Sequence, residues 1–257
     1  MLRTRIIPCL LLKNGGFVKT VKFKNPVYLG DPVNIVRIFN DKEVDELAIL
    51  DISASVEKRA PAFDLLADIA GECFMPLSYG GGLKRIDDLL TLSKAGYEKL
   101  VINTMAVEDP GFVRKAADQL GSQSVVVSLD VKKSLLGKYE VLVMGGRRNT
   151  KKDPVALAVE MSRQGAGEIL LNSIDRDGTQ KGYDLDLIKR VSSQVDVPVI
   201  ACGGAGSVED MAGAVNQGGA SGVGVGSFFV FHGRHRAVLI NVPPPKLMFE
   251  AIDGPKT

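Results

Sequence analysis

The sequence has little cysteine, little histidine and almost no net charge. Its three cysteines, Cys9, Cys73 and Cys202, stand far apart and form no CxxC spacing. That excludes a disulfide framework and a cysteine-based zinc site, and it points to a reducing, cytoplasmic compartment. The two histidines, His232 and His235, fall in one short run, 231–236 (FHGRHR), without a metal-ligand pattern. A surface loop is the expectation there. No residue cluster calls for a metal or an organic cofactor. With 32 basic and 30 acidic residues the net charge is +2, so nothing suggests a nucleic-acid or anionic-membrane partner. No apolar run reaches the ~18 residues of a membrane span. The first residues, Met1-Leu2-Arg3-Thr4-Arg5, run into a short apolar stretch interrupted by Pro8, and the length and cleavage region of a signal peptide are not expected.

What is present is apolar residue, 45% of 257, arranged in alternating short and long segments. Strands are predicted at 5–11, 46–52, 74–78, 99–103, 124–130, 168–173, 197–201 and 221–225. Several are apolar throughout, as parallel strands buried on both faces are. Between them lie helical patterns at 86–94, 111–119, 154–164 and 186–194, and Ser207 with Asp210 reads as a capping box. No linker divides the chain. The length and the β/α alternation predict one (β/α)₈ barrel over 1–257, a fold that takes about 250 residues.

The chain also repeats itself. Residues 76–82 (PLSYGGG) resemble 198–204 (PVIACGG), 46–50 (ELAIL) resemble 168–172 (EILLN), and 5–13 resemble 124–132. The barrel therefore reads as two related halves of about four βα units each. Laying the first strand on the fifth places Leu11 opposite Asp130, each followed by an aliphatic residue and a lysine.

Three constellations carry chemistry. The first is a pair of candidate phosphate cradles. Gly80-Gly81-Gly82 follows one strand, and Asn103-Thr104 ends the next. Gly203-Gly204 follows another, and Gly226-Ser227 ends the last. Glycine lets backbone N–H groups approach and turn toward an anion; tight βα turns alone would use the same residues. Two such sites imply a long substrate with separated phosphates. The second constellation is carboxylates at strand C-termini, the catalytic end of this fold. These are Asp51, Asp130, Asp175 and Asp177, which can act as acid or base or simply cap a turn. The third is charge at strand starts. Arg5, Glu46, Lys99 and Glu168 could form a ring at the opposite end, read from spacing alone as stabilisation. The basic run at 147–152 can meet an anionic substrate or simply be solvated. Cys202, with no histidine near it, reads as a small packing residue.

Together these residues resemble the cyclase subunit of imidazole glycerol phosphate synthase. The resemblance rests on 5–10 (RIIPCL), 30–33 (GDPV), 51–55 (DISAS), 80–82 (GGG), 102–104 (INT), 165–171 (GAGEILL), 175–179 (DRDGT), 182–184 (GYD) and 203–206 (GGAG), which span nearly the whole chain. It implies a histidine-pathway enzyme without a cofactor. A glutaminase subunit would dock at the N-terminal end of the barrel, and ammonia would pass through the barrel to a bis-phosphorylated substrate. It makes Arg5, Glu46, Lys99 and Glu168 the gate at the ammonia entrance, Asp130 an acid/base residue, and Lys19 a loop lysine that covers the substrate. Gly80, Gly81, Gly82, Asn103 and Thr104 match one phosphate site. Asp177, Gly178, Gly204 and Ser227 match the other.

The departures from that family are specific. Leu11 stands where the family has a second catalytic aspartate, and losing a positioned acid or base typically costs ~10²–10⁴ in rate. The following loop, 14–18, departs as well. So do Asn172 and Cys202, where small hydroxyl residues are usual, and the tail, 235–240 with Pro243-Pro244-Pro245. These changes resemble a paralogous branch associated with surface polysaccharides, which supplies ammonia for an acetamidino group on a nucleotide-linked sugar. Three readings stand: a subunit diverged towards sugar amidation, a genuine cyclase that tolerates Leu11, and a silent ammonia conduit.

Overall fold

A computed structural model describes residues 3–42, 44–233 and 235–254, so Met1, Leu2 and Arg234 of the segments above lie outside the described residues. Eight parallel strands form the barrel: β1 (Arg5–Lys13), β2 (Leu47–Asp51), β3 (Leu77–Gly80), β4 (Tyr97–Ile102), β5 (Val125–Lys133), β6 (Glu168–Ser173), β7 (Val199–Cys202) and β8 (Gly222–Val225). Each pairs with the next. β8 returns to β1 with Arg5 opposite Gly222, and β5 meets β6 with Asp130 opposite Asn172, so the eight-stranded barrel is closed. This is the (β/α)₈ architecture that the β/α alternation predicts.

Helices α1 (Pro32–Asn40), α2 (Phe63–Glu72), α3 (Ile86–Lys94), α4 (Pro110–Leu120), α5 (Pro154–Arg163), α6 (Leu185–Ser192), α7 (Val208–Asn216) and α8 (Pro245–Asp253) surround it. Their starts follow from local chemistry. Asp31 and Asp153 cap α1 and α5, each ahead of a proline at the first helical position, where a missing N–H costs nothing. The capping box of α7 is formed: Asp210 N–H donates to Ser207 Oγ at 3.2 Å, and Ser207 N–H donates to Asp210 Oδ2 at 3.1 Å. The divergent tail forms α8, which packs on α7. No helix among the described residues is long and apolar enough to cross a membrane.

The two halves repeat in their irregularities too. Short helices follow β4 (Thr104–Glu108) and β8 (Ser227–Val230), and β1 and β5 both run past the barrel into antiparallel hairpins. The segment read as a loop after the first strand is one of these hairpins. Strands Gly16–Val21 and Lys24–Gly30 follow a two-residue turn at Asn14 and Gly15, whose φ values of 50° and 76° match the handedness of hairpin turns.

Strand β3 departs furthest from its predicted bounds, and β7 begins two residues later than predicted, at Val199. Residues 74–78 were the expectation, yet β3 begins at Leu77 and Phe74 is 87% exposed. Pro76 has no N–H for a ladder; its carbonyl accepts from Leu47 N–H at 2.9 Å, and the chain joins the sheet only beyond it.

The core has two layers. Alternate residues point outward to the helices, as Ile6, Leu10 and Leu12 do in β1. The others fill the barrel, where Ile7, Cys9, Ala48, Val101, Val126, Leu170 and Ile200 form a separate apolar cluster. The period of two along β1 therefore sets Arg5, Ile7, Cys9 and Leu11 in succession along the barrel interior.

Candidate functional site at the C-terminal mouth

At the C-terminal end of the strands lies a cavity of about 310 Å³, lined among others by Leu11, Lys19, Asp51, Asp130, Asn172 and Cys202. Asp130 comes from β5 and Leu11 from β1, four strands away around the eight-strand ring, so the two stand on opposite walls. Two side-chain amides hold the Asp130 carboxylate. Asn172 Nδ2 donates to Oδ1 and Asn103 Nδ2 donates to Oδ2, both at 3.3 Å. Burial pushes its pKa up to about 7; the Asn172 hydrogen bond opposes this and the charge of Asp177 adds to it. A carboxyl group poised there can take or give a proton near neutrality. Leu11, 9% exposed, offers only hydrocarbon from the other wall.

The first cradle opens beside this cavity, over a space of about 350 Å³. Gly81, Gly82, Asn103 and Thr104 line it together with Lys58, Lys84 and Arg148. Gly81 has φ +126°, and a Cβ there would lie 2.5 Å from the Asp51 carbonyl, so only glycine fits. Gly80 lines the central cavity instead; its missing side chain makes room for Val101. Asn103 lies between the two spaces, since the amide that reaches Asp130 also donates to the Ser128 carbonyl at 2.9 Å.

The second cradle is different. Asp177, Gly178, Gly203, Gly204, Gly226 and Ser227 do converge, yet the space among them is about 20 Å³. The first hairpin closes it. Lys19, 4% exposed, donates from Nζ to the Cys9 carbonyl at 3.2 Å, and that ammonium fills the position a Cβ on Gly226 would need. Asp177 accepts from Thr20 Oγ1 at 3.1 Å and from Phe23 N–H at 3.5 Å. Its backbone carbonyl accepts from Lys22 N–H at 2.9 Å. Asp177 thus anchors the hairpin. Ser227 Oγ is buried without a hydrogen-bond partner among the described residues.

The other strand-end carboxylates are engaged elsewhere. Arg59 holds Asp51 through Nη2 at 2.8 and 3.0 Å, while Asp51 Oδ1 also accepts from the N–H groups of Ser53 and Ala54. It is a paired turn-capping residue. Asp175 accepts from Lys133 N–H at 2.8 Å and ties two loops. His232 and His235 are exposed in the hairpin of Phe231–His232 and Ala237–Val238. The run 147–152 sends Arg147 to the central cavity and Arg148 to the first cradle, while Lys151 pairs with Glu140 at 3.5 Å. Spacing had not marked Lys58 or Lys84. The charged stretch Glu57-Lys58-Arg59 directly after β2 was the available signal for the first.

At the opposite end the four charges close into a ring. Arg5 bonds Glu46 at 2.8 Å and also Glu168; Lys99 bonds Glu46 at 2.8 Å and Glu168 at 3.4 Å. Ser78 Oγ donates to Glu46 at 3.1 Å. Burial works against the Arg5 charge, but the two glutamates outweigh it and hold its pKa above the ordinary arginine value.

The fold and this mouth define a barrel protein with a buried carboxyl group and glycine-rich turns at one end. The chain matches the family of histidine biosynthesis proteins over residues 5–236. It is 53% identical over 243 residues to a Pseudomonas aeruginosa protein named "Putative imidazole glycerol phosphate synthase subunit hisF2", covering 95% of this chain and 97% of the relative. It is 48% identical over 231 residues to the "Imidazole glycerol phosphate synthase subunit HisF" of Hyphomonas neptunium, covering 90% and 91%. The chain belongs to this family, that of the cyclase subunit of imidazole glycerol phosphate synthase.

Proposed function

We propose that this barrel is an ammonia-using synthase subunit whose terminal chemistry has diverged from imidazole ring closure. A glutaminase subunit docks at the end that carries the charge ring. Ammonia enters between Arg5, Glu46, Lys99 and Glu168 and crosses the apolar layer of Ile7, Ala48, Val126, Leu170 and Ile200. That layer favours neutral ammonia, because burying an unpaired ammonium is costly. At the mouth Asp130, half protonated near pH 7, exchanges the proton that the incoming nitrogen must gain or lose.

The observation that carries the divergence is Leu11 on the wall opposite Asp130. A reaction needing acid and base from both sides lacks one partner. The unequal cradles support the same reading. Space and cationic side chains gather at Lys58, Lys84 and Arg148, the last paired with Glu108, while the second cradle holds Lys19. A ligand with its phosphates adjacent at one end, as in a nucleotide-linked sugar, suits that asymmetry better than one phosphorylated at both ends. The reading is therefore ammonia supply for sugar amidation, in the cytoplasm, with a phosphorylated small molecule at the mouth.

A genuine histidine-pathway cyclase is the second reading, favoured by the convergence of both glycine cradles and by the unpartnered Ser227 hydroxyl. Mixing the purified chain with a glutaminase subunit and following glutamine hydrolysis tests the shared part. A one-to-one complex with stimulated hydrolysis is the expected result. Absence of a complex at micromolar concentrations contradicts both readings.

A further inference from the structure

The barrel interior holds two thiols that the reaction above leaves unused. Cys9 is an inward residue of β1 and Cys202 ends β7, with β8 running between those strands. Gly224 of β8 leaves the space between them open. A Cβ on it would lie 2.9 Å from Cys9 Sγ and 3.1 Å from Cys202 Sγ. Two atoms each about 3 Å from one point are at most about 6 Å apart, and Cys9 Sγ donates to the Ile7 carbonyl of its own strand at 3.5 Å. Both residues line the central cavity, so the pair is reachable from the mouth. The Lys19 ammonium lies beside them, 3.2 Å from the Cys9 carbonyl.

Strands separated by a third lie roughly 9–10 Å apart, beyond the ~7 Å Cα separation a disulfide tolerates. A direct sulfur–sulfur bond is therefore not what this arrangement offers. Two sulfurs bordering one open point suit one ion bonded to both, since metal–thiolate bonds of about 2.3 Å need roughly 4.6 Å between the sulfurs in a linear site, within the bound of about 6 Å. Zinc takes four ligands, and no group of three or more His, Cys, Asp or Glu side chains assembles for a metal among the described residues. Soft thiolates select monovalent copper and its congeners.

We propose that Cys9 and Cys202 form a two-sulfur binding site for a soft monovalent cation of the copper(I) or silver(I) class. The ion replaces both thiol protons, which leave to solvent, and no electron is transferred. The bis-thiolate complex carries one negative charge, which the Lys19 ammonium offsets.

The test uses the full chain carrying Cys73→Ser, which removes the remaining thiol. It is titrated with silver(I) and followed by native mass spectrometry and sulfur-to-metal absorption in the near ultraviolet. The expected result is one ion per chain, about two protons released, no retention of zinc(II), and affinity weakened roughly a hundredfold by Cys202→Ser. Silver(I) should also protect the pair from alkylation by iodoacetamide in the Cys73→Ser chain, a readout that needs no further variant. An ion held as tightly after Cys202→Ser, or no ion retained by the Cys73→Ser chain, overturns the proposal. So does unchanged alkylation in the presence of silver(I).

Discussion

Leu11 and Asp130 occupy equivalent places in the two halves of the barrel and stand on opposite walls of one cavity, the first a hydrocarbon and the second a carboxyl group with its pKa near 7. The half-barrel repeat makes them positional twins, and a single residue type separates them. The predictions below follow from that relationship and from what surrounds it.

The pKa of Asp130 has a stability consequence. Burial raises it to about 7 from an ordinary 3.8, so between those values the folded chain binds the proton and the unfolded chain does not. Stability therefore falls as pH rises from about 4 through about 7 and is level above that. Asp130→Asn removes the penalty. The variant should exceed the parent at pH 8 by on the order of 2–4 kcal/mol, with the gap closing toward pH 5. Urea denaturation at both values measures it, and a gap independent of pH would contradict the assignment.

Asp177 holds the hairpin down through Thr20 Oγ1 and the Phe23 N–H. Asp177→Ala should free residues 16–30 at a cost of about 1–2 kcal/mol. Limited proteolysis should then cut within the hairpin before anywhere else in the barrel. Unchanged protection would mean that the packing of Phe17 and Val18, both buried, holds the hairpin without the carboxylate.

Gly81→Ala should damage the first cradle selectively. Its φ of +126° and the 2.5 Å approach of the Asp51 carbonyl leave no room for a Cβ. The strain costs about 2–3 kcal/mol, and pyrophosphate binding by calorimetry should be lost. Full affinity in the variant would move the anion site elsewhere.

The charge ring predicts an asymmetric loss. Glu168→Gln leaves Arg5 and Lys99 sharing Glu46 alone, with the side chains of both cations only partly exposed. The expected loss is about 2–3 kcal/mol, the low end for breaking a buried pair. Guanidinium or urea titration reads it directly. A neutral outcome would mean that solvent screens the ring.

Much of this was legible in the sequence, for physical reasons. Strands buried on both faces, such as 6–12, announce themselves as apolar runs, and a charge opening each of four strands had to lie at one end of a parallel barrel. The internal repeat located Asp130 and its missing twin. The rest depended on where chain segments fold back. Asn14-Gly15 is itself a hairpin-turn signal, but nothing local shows that 16–30 folds back over the mouth. Nothing local places the Lys19 ammonium against Gly226. Lys58, Lys84 and Arg148 come from three separate connections between barrel strands and helices, so only the closed barrel brings them to one cavity. Cys202 reads as a packing residue because no histidine stands near it in sequence; Cys9, 193 positions away, comes near it only across Gly224 in the folded barrel.

The most direct test of the central claim is turnover of the bis-phosphorylated histidine-pathway intermediate by the purified chain, with excess ammonium salt at alkaline pH and Leu11→Asp measured beside it. Altered terminal chemistry predicts no ring closure by the unchanged protein and a measurable gain, within the ~10²–10⁴ worth of a positioned acid or base, when the carboxylate is restored opposite Asp130. Robust turnover by the unchanged protein would contradict the claim and return the chain to histidine synthesis.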